Sequence, residues 1–137
     1  MSRSTFKSAL AAGLILLGIG AAFGFSGTRG GSDDYTFELI SREVKQGGGA
    51  TVTVRLVDVR TGKVVPDAVL FITRLDMSPD GMAEMVAPLE TAPDTAPGYY
   101  RFETDLTMEG GWAITLAAKI PGVLNAVQSR LVLQVVP

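Results

Sequence analysis

From Thr51 to Leu56 polar and apolar residues alternate without interruption, so Val52, Val54 and Leu56 fall on one side of an extended chain and Thr51, Thr53 and Arg55 on the other. A helix would scatter those apolar side chains around its circumference, so the segment is read as a half-buried strand. Comparable runs recur along the chain, and the predicted strands are 35–41, 50–58, 68–76, 84–91, 98–105, 111–120 and 127–136. The breaks are Gly47-Gly48-Gly49, Thr61-Gly62-Lys63, Ser78-Pro79-Asp80-Gly81, 93–97, Glu109-Gly110 and Pro121-Gly122, each with a residue that turns or interrupts a strand for a backbone reason. No convincing amphipathic helix intervenes. About seven short strands in roughly 110 residues predict an all-β, immunoglobulin-like β-sandwich. Trp112, Ile114, Leu116 and Ala118 share one strand face, and Tyr100 and Phe102 another; these are the inner-face candidates.

The first residues follow a different pattern. Ala9 to Phe25 are all apolar or glycine and lie behind Arg3 and Lys7. Such a run reads as an N-terminal hydrophobic helix that leads the chain to a membrane, and its length and flanks suit a cleaved signal peptide and a retained anchor equally. The expected organisation is residues 1–26 as signal peptide or membrane anchor, 27–33 as flexible linker and 34–137 as the sandwich domain. Because the positive charges stay on the cytoplasmic side, the domain is expected to be periplasmic or otherwise extracytoplasmic, either free or tethered to the inner membrane.

The sequence has no Cys and no His, which excludes disulfide scaffolds, His- or Cys-ligated zinc, haem held by His, thiol catalysis and any triad that needs an imidazole. Lys and Arg total 12 against 14 Asp and Glu, with no basic cluster in the exported part, so nucleic acid is not an expected partner. Thr61-Gly62-Lys63 lacks the glycine spacing of a phosphate loop, and Asp33-Asp34 sit beside the linker, where no pocket would raise a carboxyl pKa. No enzyme is expected.

What stands out is methionine. Met77, Met82 and Met85 lie within nine residues around a Pro-Asp-Gly turn, and Met108 lies in a later turn. A solvated loop gains nothing from flexible apolar side chains, so something should cover them. If successive strands reverse direction, both turns come to one end of the sandwich. Thioether sulfur is neutral and polarizable and suits Cu(I), binding it without releasing a proton. Met77, Met82, Met85 and Met108 are therefore candidate Cu(I) ligands, with Asp76, Asp80 and Trp112 as supporting neighbours. The competing reading for Met77, Met82 and Met108 is a hydrophobic plug, and for Met85, which shares strand parity with Ala87 and Leu89, ordinary core packing. Trp112 fits a core role by its place in the alternation. Asp80 and Gly81 read as turn formers.

On Asp76-Met77-x-x-Asp80-Gly81-Met82-x-x-Met85, Gly98-Tyr99-Tyr100 and Met108-x-Gly110-Gly111-Trp112, the chain resembles the FixH and YtkA-like family over about residues 57–136. That resemblance implies a small extracytoplasmic Ig-type sandwich associated with copper handling, near heavy-metal efflux systems or in assembly of haem-copper oxidases. It maps the four methionines onto the family's methionine-rich motifs. The lack of His and Cys is a departure that disfavours Cu(II), which prefers imidazole and harder donors. The expectation is a copper-handling accessory, with a metal-free module docking on a membrane complex through its methionine patch as the alternative.

Overall fold

The computed structural model describes residues 30–93 and 96–137, so the predicted N-terminal helix and the first part of the linker lie outside the described residues. Among the described residues there are ten strands: β1 (Tyr35–Leu39), β2 (Glu43–Lys45), β3 (Gly47–Asp58), β4 (Lys63–Val64), β5 (Val69–Met77), β6 (Met82–Ala87), β7 (Glu90–Thr91), β8 (Tyr99–Leu106), β9 (Gly110–Lys119) and β10 (Val127–Val136). They form two sheets. The first has the order β1-β3-β8-β7, with β4 also paired to β3, and the second the order β2-β10-β9-β5-β6. The pairings are antiparallel except that of β2 with β10, which is parallel. Two sheets with strands exchanged between them in this order make an immunoglobulin-like sandwich.

Alternation explains the packing. Val52, Val54 and Leu56 of β3 are buried on one face, opposite Trp112, Ile114, Leu116 and Ala118 of β9, and Phe37, Leu75 and Phe102 complete the middle of the core. Burying each large side chain contributes on the order of 1.5–3 kcal/mol. In β9 the other face is covered too, since Ala113 and Ala117 are also buried. That strand is the centre of the second sheet, with β5 on one side and β10 on the other.

Several boundaries differ from the alternation pattern for identifiable reasons. The segment 84–91 divides at Pro88, which cannot donate to a ladder, so β6 stays with the second sheet while β7 crosses to the first. Gly47 to Gly49 do not end a strand but extend β3 through a bulge, where the Gly49 amide donates to Asp105 Oδ1 (3.1 Å). The first strand stops at Leu39, and the chain then changes sheets so that β2 can pair with the end of β10. β2 has three residues, too few to show a period.

Gly98 marks the tightest backbone approach in this framework. Its φ is +85°, its carbonyl accepts from the Leu56 amide (3.1 Å), and a Cβ there would collide with Val64 Cγ1 and lie 2.7 Å from the Val65 carbonyl oxygen. Gly62 has a similar φ of +72° with open space around it. Both Gly→Ala changes incur the left-handed penalty, of about 1 kcal/mol or more, but only Gly98→Ala adds a collision with the backbone. Urea denaturation should show Gly98→Ala losing at least about 2 kcal/mol more than Gly62→Ala. Equal losses would show that the close approach contributes nothing.

Candidate functional site

Pro79 ends the ladder of β5, and the chain makes a single 3-10 turn over Ser78–Asp80. Gly81 adopts the left-handed conformation (φ 77°) and donates its amide to the Ser78 carbonyl (3.0 Å), which reverses the chain into β6. Met77 and Met82 are thereby register partners, the last residue of one strand facing the first of the next.

Carboxylates hold this turn in place. Asp76 is only 6% exposed and accepts from the Ser78 amide (2.9 Å) and from Arg74 Nε (2.7 Å). Arg74 Nη2 also donates to the Ala83 carbonyl (3.0 Å), and Arg130 Nη2 on β10 donates to Ser78 Oγ (2.9 Å). Burial pushes the Asp76 carboxyl up, but hydrogen bonds from the Ser78 hydroxyl and amide, together with Arg74, outweigh it and hold the group below the ordinary carboxylate range. Asp80 accepts from the Gly111 amide (3.1 Å), which pins the turn to the start of β9.

The β8–β9 turn meets it there. Gly110 has a φ of +132°, and a Cβ at this position would collide with the Asp80 carboxylate and stand 3.1 Å from the Met77 methyl. Met108, two residues earlier, offers its carbonyl to Trp112 Nε1 (3.0 Å). The β5–β6 and β8–β9 turns thus lie against each other at one end of the sandwich.

The four candidate methionines occupy different depths. Met77 is 0% exposed and part of the core, Met82 and Met85 are half-buried and packed against it, and Met108 is 38% exposed. Trp112 is buried at 1% exposure, a core side chain whose one donor is committed to the turn. Asp76 and Asp80 use their oxygens to fasten the turn. Among the described residues no group of three or more Asp or Glu could hold a metal ion. Arg74 and Arg130 were not legible as site residues, because the partners that define them are set by register between strands.

These features define a small Ig-like β-sandwich module in which the turns that follow Met77 and Met108 meet at one end. The chain belongs to the YtkA-like family, whose profile matches residues 29–117, well over half its length. The match begins upstream of the segment that carries the resemblance in sequence and stops within β9. No curated protein matches the chain. Among solved structures it is similar to the ZirS C-terminal domain, with 12% identity, 82% of this chain and 75% of that one covered, and a TM-score of 0.45. It is also similar to a DUF4785 family protein from Legionella pneumophila, with 16% identity and a TM-score of 0.45 over 74% of this chain and 28% of that one.

Replacing Asp76 by Asn weakens the acceptor for the Ser78 amide and Arg74, and should lower stability by about 1–3 kcal/mol at neutral pH. A carboxyl whose folded pKa is depressed contributes fully above its ordinary value of 3.8 and loses that contribution as pH falls through the folded value. The difference between wild type and Asp76→Asn in urea midpoints should therefore shrink as pH is lowered below 3.8. A gap independent of pH would assign the effect to shape rather than charge.

Proposed function

We propose that this chain is an exported, non-enzymatic copper-handling accessory that takes Cu(I) onto thioethers at the methionine end and passes it to a membrane efflux or oxidase-assembly partner. One observation supports this most: Met77 and Met82 are register partners, and Gly110 seats the turn carrying Met108 against the Met77 methyl. Copper is cargo in this reading. The donors are neutral and do not titrate near neutral pH, which suits capture of a soft monovalent ion without proton release. Their graded depth suits transfer, with Met108 and Met82 as the accessible sulfurs that receive and release the ion and Met77 as the floor beneath them. The copper association implied by the family resemblance points the same way.

A second reading rests on the burial of Met77 and on the packing of Met82 and Met85 against the core. There the methionines close the end of the sandwich, and the exposed part docks on a membrane complex without metal, because thioether surfaces adapt to several shapes.

Anaerobic Cu(I) titration of the purified chain against a competing chelator separates the two. Leucine preserves most of methionine's volume, so a Met82→Leu, Met108→Leu double variant keeps the packing and removes two sulfurs. Binding of one equivalent, weakened at least about tenfold in the double variant, is the expected result; tenfold corresponds to about 1.4 kcal/mol. No binding, or binding indifferent to the substitutions, leaves the docking reading.

A further inference from the structure

In the second sheet β2 lies beyond β10 but pairs only with Gln134, Val135 and Val136. The Gln134 amide donates to the Arg42 carbonyl (2.7 Å), and the Val136 carbonyl accepts from the Gln46 amide (2.7 Å). Main-chain groups alternate sides along a strand, so the even-numbered residues of β10 direct theirs toward β2's side. Arg130 and Val132 follow that alternation, and among the described residues no strand pairs with them there. β1 is nearby but belongs to the other sheet, and it reaches β10 through the Phe37 amide and Ser129 Oγ (3.4 Å).

A cleft of about 530 Å³ opens along this bare edge, with Phe37, Leu39 and Leu131 among its apolar lining and Arg42, Arg130 and Glu38 among its charged lining. Its charge is net positive. Glu38 is paired with Arg55 (2.9 Å), whereas Arg130 donates to a neutral hydroxyl and no side-chain hydrogen bond or ion pair involves Arg42 among the described residues. Three devices that blunt an edge are missing here. From Gln128 to Leu133 there is no Pro and no Lys, and the β9–β10 register runs without a bulge. On β5, by contrast, the stretch before its pairing with β6 is interrupted by a bulge around Phe71.

We propose that the β10 edge is a strand-addition site for a short, extended, acidic segment of a partner protein. The segment's main chain pairs with the open groups of Arg130 and Val132. Alternate side chains then turn inward onto Phe37 and Leu131, and the intervening acidic ones lie toward Arg42 and Arg130. Main-chain pairing supplies affinity and the charges select acidic sequences. The site touches the methionine turn only where Arg130 Nη2 donates to Ser78 Oγ, and it does not depend on metal binding.

The test titrates a terminally blocked pentapeptide of alternating glutamate and valine into the isotope-labelled full chain, following the amide resonances of Arg130 and Val132. Saturable shifts at these two amides are expected. Affinity should fall at least about tenfold when alternate peptide amides are methylated, when lysine replaces glutamate, and in Arg42→Gln, a surface change that leaves the fold intact. Val132→Pro, which removes an edge-facing N–H without touching the β9 ladder, should abolish the shifts. Absence of binding, equal binding of the methylated peptide, or shifts that depend on protein concentration alone and so report closure by a second copy, would each overturn the proposal.

Discussion

A tryptophan indole can be buried at low cost only if its N–H finds an acceptor, and at Trp112 that acceptor is the Met108 carbonyl at 3.0 Å. The rest of the methionine end follows from this contact. With the indole in the core, the β8–β9 turn must fold back over the start of β9, and the backbone at Gly110 and Gly111 comes close enough to the β5–β6 turn that a side chain at Gly110 has no room. Asp80 then closes the gap with a hydrogen bond to the Gly111 amide. Packing inside the sandwich and the placing of two turns outside it are one arrangement.

Much of this was readable from alternation. Alternation puts Val52, Val54 and Leu56 on one face of a half-buried strand and makes the even-numbered run from Trp112 to Ala118 an inner face, because both patterns are long enough for a period of two to be distinctive. The parity of Met85 with Ala87 and Leu89 was equally visible, and all three pack in or against the core. Legibility ended where a segment was too short or its partner too distant. β2 and β7 have three and two residues and acquire their identity from β10 and β8. The triple glycine reads as a break in sequence because its lack of side chains hides the fact that β8 accepts it as a bulged strand.

The candidate site shows the same limit more sharply. Proximity in sequence grouped Met77, Met82 and Met85, and strand reversal brought Met108 to the same end, but neither argument sets depth. Met77 is fully buried because it is the last inward residue of β5, whereas Met108, lying between strands, is exposed. Nor could the sequence assign Asp76, which is outward-facing by parity yet buried because Arg74 and the Ser78 amide fold over it. Asp76 and Asp80, acidic residues beside the methionines, also fasten the turn through their hydrogen bonds, which sequence alone does not reveal.

Arg130 links the β10 edge to the methionine turn. Its main chain faces the unpaired edge of β10, while its guanidinium reaches Ser78, the first residue of the methionine turn. Ser78 in turn is bonded to Asp76, whose neighbour Met77 is buried in the core. The β10 edge and the turn thus share one hydrogen-bonded side chain. Any free-energy coupling between two such sites is reciprocal. Here its path would be short, running through one arginine, one hydroxyl and one carboxylate, each already engaged in a hydrogen bond that a second arrangement would have to replace.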